Sequence, residues 1–267
     1  MNKLLAFVKR DLLIELSYRF GFGFQIASIA LSVTGYYFLA RFIGASVVPG
    51  LDAYGGDYFA FVLIGVALQN YLATSLDAFS RTIRESQLAG TLEALLSTQT
   101  SLATIIVSSA AYRFLWTSFG VVLYLALGVG LFGMRLSPGH WPAAALVLVL
   151  AILAFSGLGI LSASFIMIFK RGTPVAWLFG DVSWLLGGVL YPVTALPGWL
   201  QALSALLPIT YAIEGMRAAL LRPEPWPEIR SSVALLLLFA ATLVPVSLLS
   251  FQYATKRARI TGTLAQY

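Results

Sequence analysis

Residues 81–101 read RTIRESQLAGTLEALLSTQTS, a polar stretch between two long apolar runs. At helical spacing, four leucines share one narrow face of this stretch: Leu88, Leu92, Leu95 and Leu96. Gly90 and Glu93 lie on the opposite side. The stretch is too short and too polar to cross a bilayer, yet it has a face to bury. This pattern predicts a short helix that inserts into a groove on another protein, and it fits an amphipathic connector on the membrane surface equally well.

The composition is that of an integral membrane protein. Of the 267 residues, 59% are hydrophobic and only 10% are charged, whereas soluble domains carry roughly 25% charged residues. The net charge of +6 indicates basic loops against anionic lipid rather than nucleic-acid binding. The absence of cysteine excludes disulfides, thiolate metal sites and cysteine nucleophiles, and a single histidine argues against a histidine-based metal cluster.

Six apolar runs are long enough, or nearly long enough, to cross the membrane as helices, which takes roughly 20 residues each. They cover residues 22–44, 58–79, 102–132, 141–169, 175–193 and 231–253. Runs this continuous satisfy their backbone hydrogen bonds in lipid only as helices. We therefore predict one all-α transmembrane domain over residues 1–267, with six spans.

The distribution of basic residues predicts the orientation. Of the 17 lysines and arginines, eleven fall on the side of the N-terminus, five on the other side, and Arg113 lies within a span. Because basic residues accumulate on the cytoplasmic side, both termini and the 81–101 stretch are expected in the cytoplasm. Residues 1–21 mix charges with leucines and predict an interfacial helix, the alternative being a solvated extension.

Between the fifth and sixth runs, an apolar segment is broken by prolines at 192, 197, 208 and 223. Pieces of roughly 10–14 residues match re-entrant or interfacial helices. We predict two short re-entrant outer helices within residues 194–226, rather than a further pair of spans, which the proline spacing argues against. Glu214 and Arg217, three residues apart, are expected to pair on the second of them.

Ionisable and amide side chains inside the spans call for partners. Arg113 and Asp181 lie at similar depths from the same side of the membrane, so we predict an ion pair between the third and fifth spans. Asp77, near the inner edge, is placed to pair with Arg81 four residues later. The mid-span Gln69 and its neighbour Asn70 fit either a hydrogen bond to another helix or a place on a transport path.

Two motifs resemble the permease subunits of ABC-2-type transporters, the membrane halves of ATP-binding-cassette exporters. They are AGTLEALLSTQTS at residues 89–101 and GVLYPVTALPGWLQALSALLPITYAIEGMR at residues 188–217. The second is the more specific motif, because it fixes several proline and aromatic positions in order. The six-span layout extends the resemblance over almost the whole chain. Gln99 departs from the family, whose members commonly carry proline there.

The resemblance implies an ATP-driven exporter in the cell's inner (cytoplasmic) membrane. Two permeases, expected to be identical copies, would pair about a two-fold axis and contact two copies of a separate cytoplasmic ATPase. ATP and Mg would be bound by that ATPase, with no cofactor on this chain. The ATPase-coupling residues would be Leu88, Gly90, Thr91, Leu92, Glu93, Leu95 and Leu96. The outer gate region would comprise Tyr191, Pro192, Pro197, Trp199, Pro208, Tyr211, Glu214 and Arg217.

The chain lacks a G-x-x-x-x-G-K-[ST] loop, H-E-x-x-H, or any visible catalytic constellation, so we expect a non-enzymatic subunit. Two other classes stay open: a secondary transporter or channel not coupled to ATP, and a membrane scaffold. A secondary transporter usually carries internal repeats with broken helices in both halves, whereas here one broken element occurs late in the chain. The apolar spans favour an amphiphilic cargo such as a drug, a lipid or a lipid-linked glycan.

Overall fold

The structure, a computed structural model, describes residues 12–13, 19–44, 51–88, 102–137, 140–169, 174–222 and 226–260. These ranges contain eight α-helices longer than one turn and no strand. In chain order the helices are α1 (Arg19–Ile43), α2 (Tyr58–Leu88), α3 (Leu102–Phe132), α4 (Trp141–Phe169), α5 (Pro174–Leu186), α6 (Gly198–Ser204), α7 (Pro208–Leu221) and α8 (Trp226–Ile260). Short 3-10 turns occur at Leu51–Tyr54 and Val193–Ala195.

Five of these helices, α1, α2, α3, α4 and α8, are long and apolar enough to cross a membrane. They correspond to five of the six predicted spans, and the all-α prediction is confirmed. The second span continues beyond its predicted end, because α2 runs without interruption for 31 residues to Leu88. The polar stretch at residues 81–101 therefore begins as an extension of a membrane helix. Of the predicted interfacial helix at residues 1–21, most lies outside the described residues, and its last three residues form the start of α1.

The fifth predicted span is not a full-length helix. Its helix α5 has only 13 residues, about 20 Å at 1.5 Å per residue, against roughly 30 Å of hydrocarbon. After Leu186 the chain leaves the helical path, and Gly188 has φ of +76°, a left-handed conformation that favours glycine. The prediction of a continuous helix over 175–193 is corrected: hydropathy alone did not register the glycine pair that ends it.

Helix α2 lies at the centre of the bundle. Most of its residues from Tyr58 to Ser80 are buried against α3, α4, α5 and α7, while α4 packs along α8. Helices α2 and α4 approach very closely: a Cβ on Gly159 would lie 2.1 Å from the carbonyl oxygen of Ser75. Helices α1, α3 and α8 instead turn large apolar side chains outward, as a lipid-facing ring would require, among them Phe24, Phe42, Leu131 and Leu249.

Contacts between helices define the two ends of the bundle. At one end, Arg113 on α3 lies 3.9 Å from Asp77 on α2, and Ser80 donates to the Ser162 hydroxyl on α4 at 3.1 Å. The C-terminal part of α8 joins them through Thr255, which contacts Met167 on α4. We call this the Asp77 end. The opposite end, where α2 begins, is the Tyr58 end; α2 ends and α3 begins on the side of the Asp77 end.

Candidate functional site

Helix α5 ends inside the protein. Leu186, Gly187, Gly188 and Val189 are all buried, and none of residues 187–191 is helical. The last four carbonyl groups of a helix have no intrahelical donor, and in a membrane no bulk water replaces one. Each buried carbonyl left without a donor destabilises the fold by about 1–3 kcal/mol. The non-helical residues 187–191, here called the α5 break, therefore need donors from elsewhere in the chain.

Arg217, on α7, supplies most of these donors. Its Nη1 donates to the carbonyl oxygen of Gly188 at 2.7 Å, and its Nη2 donates to that of Val189 at 2.8 Å. Its Nε and Nη2 also donate to the carbonyl oxygen of Phe61 on α2, at 3.1 and 2.9 Å. Arg217 is only 2% exposed. One guanidinium thus holds α2, the α5 break and α7 together, as its planar fork of five N–H groups allows.

The charge of Arg217 is stabilised by the backbone carbonyl dipoles that accept its hydrogen bonds and by the face of the Phe61 ring. Its guanidinium carbon lies 3.3 Å from the centroid of the Phe61 ring, which adds a cation–π contact. Among the described residues, no carboxylate lies within 4.0 Å of its nitrogens. Breaking this arrangement would leave the carbonyl groups of Gly188 and Val189 without donors, and the guanidinium without acceptors, in an apolar interior.

Two tyrosines satisfy further carbonyls around the break. The Tyr58 hydroxyl, at the first residue of α2, donates to the carbonyl oxygen of Leu190 at 2.9 Å. The Tyr191 hydroxyl donates to that of Leu185, in the last turn of α5. Four carbonyls in this short region thus receive side-chain donors. The geometry explains how a helix can stop at this depth.

Gly65 on α2 gives the α5 break room to approach. A Cβ built at this position would lie 2.4 Å from the carbonyl oxygen of Val189 and 2.7 Å from Nη2 of Arg217. Because the first of these is a backbone atom, no rotamer change could relieve the contact. Any larger residue at position 65 would therefore push the break away from its donors.

The predicted pairing of Glu214 with Arg217 is wrong. Glu214 instead accepts a hydrogen bond from the Tyr54 hydroxyl at 2.6 Å and lies 3.5 Å from Nη2 of Arg222. Arg222 also pairs with Glu228 on α8. The reason is that Arg217 faces the buried carbonyls while Glu214 lies on the half-exposed side of α7. Burial, and secondly the Glu214 carboxylate, raise the pKa of the Tyr54 hydroxyl above its usual value of 10.

The other predicted gate residues are distributed around this site. Pro208 occupies the first turn of α7 and is buried, whereas Pro197 precedes α6 and is exposed. Pro192 is buried at the end of the α5 break. The Tyr211 hydroxyl donates to the carbonyl oxygen of Ala205 at 2.9 Å, and Trp199 is 68% exposed. The structure therefore gathers Tyr191, Pro192 and Arg217 at the break, and a gating role stays a prediction.

The predicted ion pair between Arg113 and Asp181 is corrected. Arg113 Nη1 lies 3.9 Å from Asp77 Oδ2, and Asp77 also pairs with Arg81 at 3.2 Å, as predicted. Asp181 is exposed on α5 and forms no ion pair with the described basic residues. Equal depth along two helices did not make them neighbours at those positions. The bundle packs α3 against α2, which brings Asp77 within reach instead.

Gln69 forms the hydrogen bond to another helix that was one of its two predicted roles. Its Nε2 donates to the carbonyl oxygen of Gly180 on α5 at 3.0 Å, so this side chain links two helices. Its Oε1 is buried with no partner among the described atoms. Asn70 is half-buried. No three His, Asp or Glu side chains within the described ranges come close enough to hold a metal ion.

The predicted ATPase-coupling residues fall almost wholly outside the described part of the chain. Leu88 is the last residue of α2, and its side chain is not described. The other six, Gly90, Thr91, Leu92, Glu93, Leu95 and Leu96, lie in residues 89–101, which are not described. Their role stays a prediction.

The sequence reasoning missed Phe61, Gly65, Tyr54 and Arg222 as parts of the site. Nothing in the local sequence marks these residues. Phe61, Gly65 and Tyr54 each contact a residue more than 100 positions away in the chain. Arg222 directly follows α7 and pairs with Glu214 and Glu228. The glycine within an otherwise apolar helix was the one available signal, since such a residue often marks close backbone approach.

Comparison with known proteins assigns the family. The sequence model of the ABC-2 type transporter family matches residues 59–221, from the start of α2 to the end of α7. Nodulation protein J of Sinorhizobium fredii (strain NBRC 101917 / NGR234) is 26% identical over 221 residues, 80% of each chain. The inner membrane transport permease YadH of Escherichia coli (strain K12) is 28% identical over 169 residues, 62% of this chain and 64% of YadH, slightly under two thirds of that relative. Because the family match covers more than half of the chain, this multi-pass membrane protein belongs to the ABC-2 type transporter family and is a transport permease of that type.

Proposed function

We propose that this chain is the membrane subunit of an ATP-driven exporter, coupled to a separate cytoplasmic ATPase. The family match over residues 59–221 carries the proposal, because it includes both the leucine-striped stretch and the α5 break. In this scheme the chain hydrolyses no nucleotide itself. Two ATPase copies bind ATP and Mg, and a second permease, an identical copy, completes the translocation path.

Helix α2 is suited to carry movement between the two functional regions. It is one uninterrupted helix of 31 residues, about 46 Å long, and most of it is buried in the bundle centre. Its last residue, Leu88, is the first of the proposed ATPase-coupling residues. Near its other end, Tyr58 and Phe61 contact the α5 break through the Leu190 carbonyl and Arg217. A push on the segment at the Asp77 end would therefore reach the Tyr58 end through a single rigid element.

The Tyr58 end is proposed as the outer gate region. Helix α5 is shorter than the hydrocarbon core, and α6 and α7 are also too short to cross the bilayer. We interpret them as outer-leaflet helices, with α7 held in the bundle by Arg217. Both termini would then be cytoplasmic, in line with the distribution of basic residues.

The cargo is proposed to be amphiphilic: a drug, a lipid or a lipid-linked glycan. The apolar character of the spans supports this class of cargo. One relative is named a nodulation protein and another an inner membrane transport permease, and neither name states a cargo.

The test uses the full chain expressed with its candidate ATPase. Leu92→Asp and Leu95→Asp place a charge on the leucine stripe and are expected to abolish co-purification and the stimulation of ATP hydrolysis. Ser97→Asp adds the same charge on the far side of the predicted helix and is the matched control. Retained stimulation in both leucine variants would refute the coupling role. Cargo movement by the purified permease without a nucleotide-hydrolysing partner would favour a secondary transporter.

A further inference from the structure

A cleft opens at the Tyr58 end between the C-terminal part of α1, the start of α2 and the end of α3. Its volume is about 310 Å³. The lining includes Tyr37, Arg41, Asp57, Tyr58, Phe59 and Phe132. The cleft thus combines one cation, one anion and four aromatic rings, and the proposed function gives it no role.

The two charged residues of the cleft, Arg41 and Asp57, do not pair with each other. Arg41 donates from Nε to the Tyr37 hydroxyl at 3.1 Å, and its guanidinium carbon lies 5.5 Å from the centroid of the Tyr37 ring. Among the described residues its two Nη groups form no hydrogen bond and no ion pair. Asp57 caps α2 by accepting from the amides of Phe59 and Ala60 at 3.0 and 3.2 Å. Both hydrogen bonds use Oδ1, which leaves Oδ2 available. Within the described ranges neither residue forms an ion pair.

The aromatic rings form a fixed wall behind these charges. The Tyr37 ring centroid lies 4.5 Å from that of Phe132 and 5.5 Å from that of Phe59. Phe59 and Phe132 are themselves 5.7 Å apart. Their mutual packing gives the cleft an apolar wall beside its two charges, which suits the hydrocarbon part of a ligand.

The position of the cleft selects the occupant. Helix α1 ends at Ile43 and α2 begins at Tyr58, so the cleft lies where two membrane-crossing helices leave the bilayer. This is the depth of phospholipid headgroups, where aromatic side chains accumulate. A ligand that carries one anionic and one cationic group joined by a short chain complements Arg41 and Asp57 together.

We propose that this cleft binds the phosphoethanolamine headgroup of a phospholipid. The phosphate would accept charge-assisted hydrogen bonds from the Arg41 Nη groups. The primary ammonium would donate to Asp57 Oδ2 and contact the adjacent ring faces. A choline headgroup has no N–H to donate, and a glycerol headgroup has no cation for Asp57, so both satisfy the cleft less well.

The test is lipid selectivity of the purified full-length permease, measured by native mass spectrometry after delipidation and titration with short-chain lipids. Phosphatidylethanolamine is expected to be retained about tenfold more tightly than phosphatidylcholine or phosphatidylglycerol, equivalent to about 1.4 kcal/mol. Equal retention of all three lipids by the wild-type chain would overturn the proposal by itself, whether or not any variant folds.

Two variants separate the two halves of the site. Asp57→Asn keeps an oxygen that can cap α2 but removes the carboxylate, so it should erase the preference for ethanolamine over choline while phosphate-dependent binding persists. Arg41→Gln should weaken the binding of all three lipids by a similar factor, because all three carry the phosphate. Asp52→Asn and Arg135→Gln change exposed charges outside the cleft and are the matched controls. An ethanolamine preference that survives Asp57→Asn would refute the assignment.

Discussion

The sharpest prediction concerns Arg217. Replacing it by Met keeps a long apolar stem but removes every donor that serves Gly188, Val189 and Phe61. Methionine is also a tolerable residue in a helix and in a core, so the change isolates the loss of the guanidinium. The expected result is a strongly destabilised protein whose α5 break no longer holds its position.

The magnitude follows from the contacts. Three buried carbonyl groups lose donors, and each costs about 1–3 kcal/mol when left unsatisfied. Phe61 lies within a helix and can keep its intrahelical bond, so the full penalty applies to two of the three. Relief from burying a charge offsets part of the loss. We therefore expect a destabilisation of about 3 kcal/mol, or about 6–12 °C in unfolding midpoint for a chain of this size.

The assay is thermal unfolding of the purified permease in one detergent at one scan rate, because membrane proteins often unfold irreversibly. The unfolding midpoint of Arg217→Lys should lie between those of wild type and Arg217→Met, because one ammonium group cannot reproduce the planar fork of N–H donors. Arg230→Met is the matched control, because Arg230 is exposed on α8. If Arg217→Met unfolds within about 2 °C of wild type, the break does not depend on the guanidinium and the reasoning fails.

Two further predictions concern neighbouring positions. Gly65→Ala should destabilise the protein by about 1–3 kcal/mol, because its Cβ would meet the Val189 carbonyl oxygen, whereas Gly130→Ala, with nothing within 4 Å, should be neutral or slightly stabilising in the same thermal assay. Equal midpoints for the two alanine variants would contradict the packing. The pKa of the Tyr54 hydroxyl is higher in the folded protein than in the unfolded chain, where it is about 10. The neutral hydroxyl therefore contributes its full share to the free energy of unfolding below pH 10, and this contribution is lost as the pH rises further. Wild type should therefore lose stability more steeply than Tyr54→Phe between about pH 10 and 11; parallel profiles would exclude a role for the contact with Glu214.

The leucine stripe shows how far local pattern can reach. Its spacing, read beside long apolar runs, was sufficient to predict a membrane protein with a polar segment between its second and third spans. The lengths of α3 and α4 agree with their predicted runs, because hydropathy depends on composition and needs no knowledge of neighbours. The Asp77–Arg81 pair was also accessible, since residues four apart on a helix always share a face.

The mistaken pairings have the opposite origin. Glu214 and Arg217 are also spaced to share a helix face, yet neither pairs with the other, and Arg217 finds its partners in α2 and the α5 break. Arg113 and Asp181 share a depth, but depth does not say which helices are adjacent. Both predictions relied on spacing along a helix or on depth in the membrane, whereas the pairing of these side chains depends on how the helices pack.

By itself, then, the sequence determined the all-helical membrane class, most helix positions and, through its motifs, the transporter family. Only the tertiary structure decided that α5 ends inside the protein and that Arg217 donates to the carbonyl groups that follow it. The physical reason is that hydrophobic length is a property of each segment, whereas the satisfaction of a buried carbonyl requires a particular donor. That donor, on α7, lies 28 or more residues away along the chain and becomes a neighbour only when the helices pack.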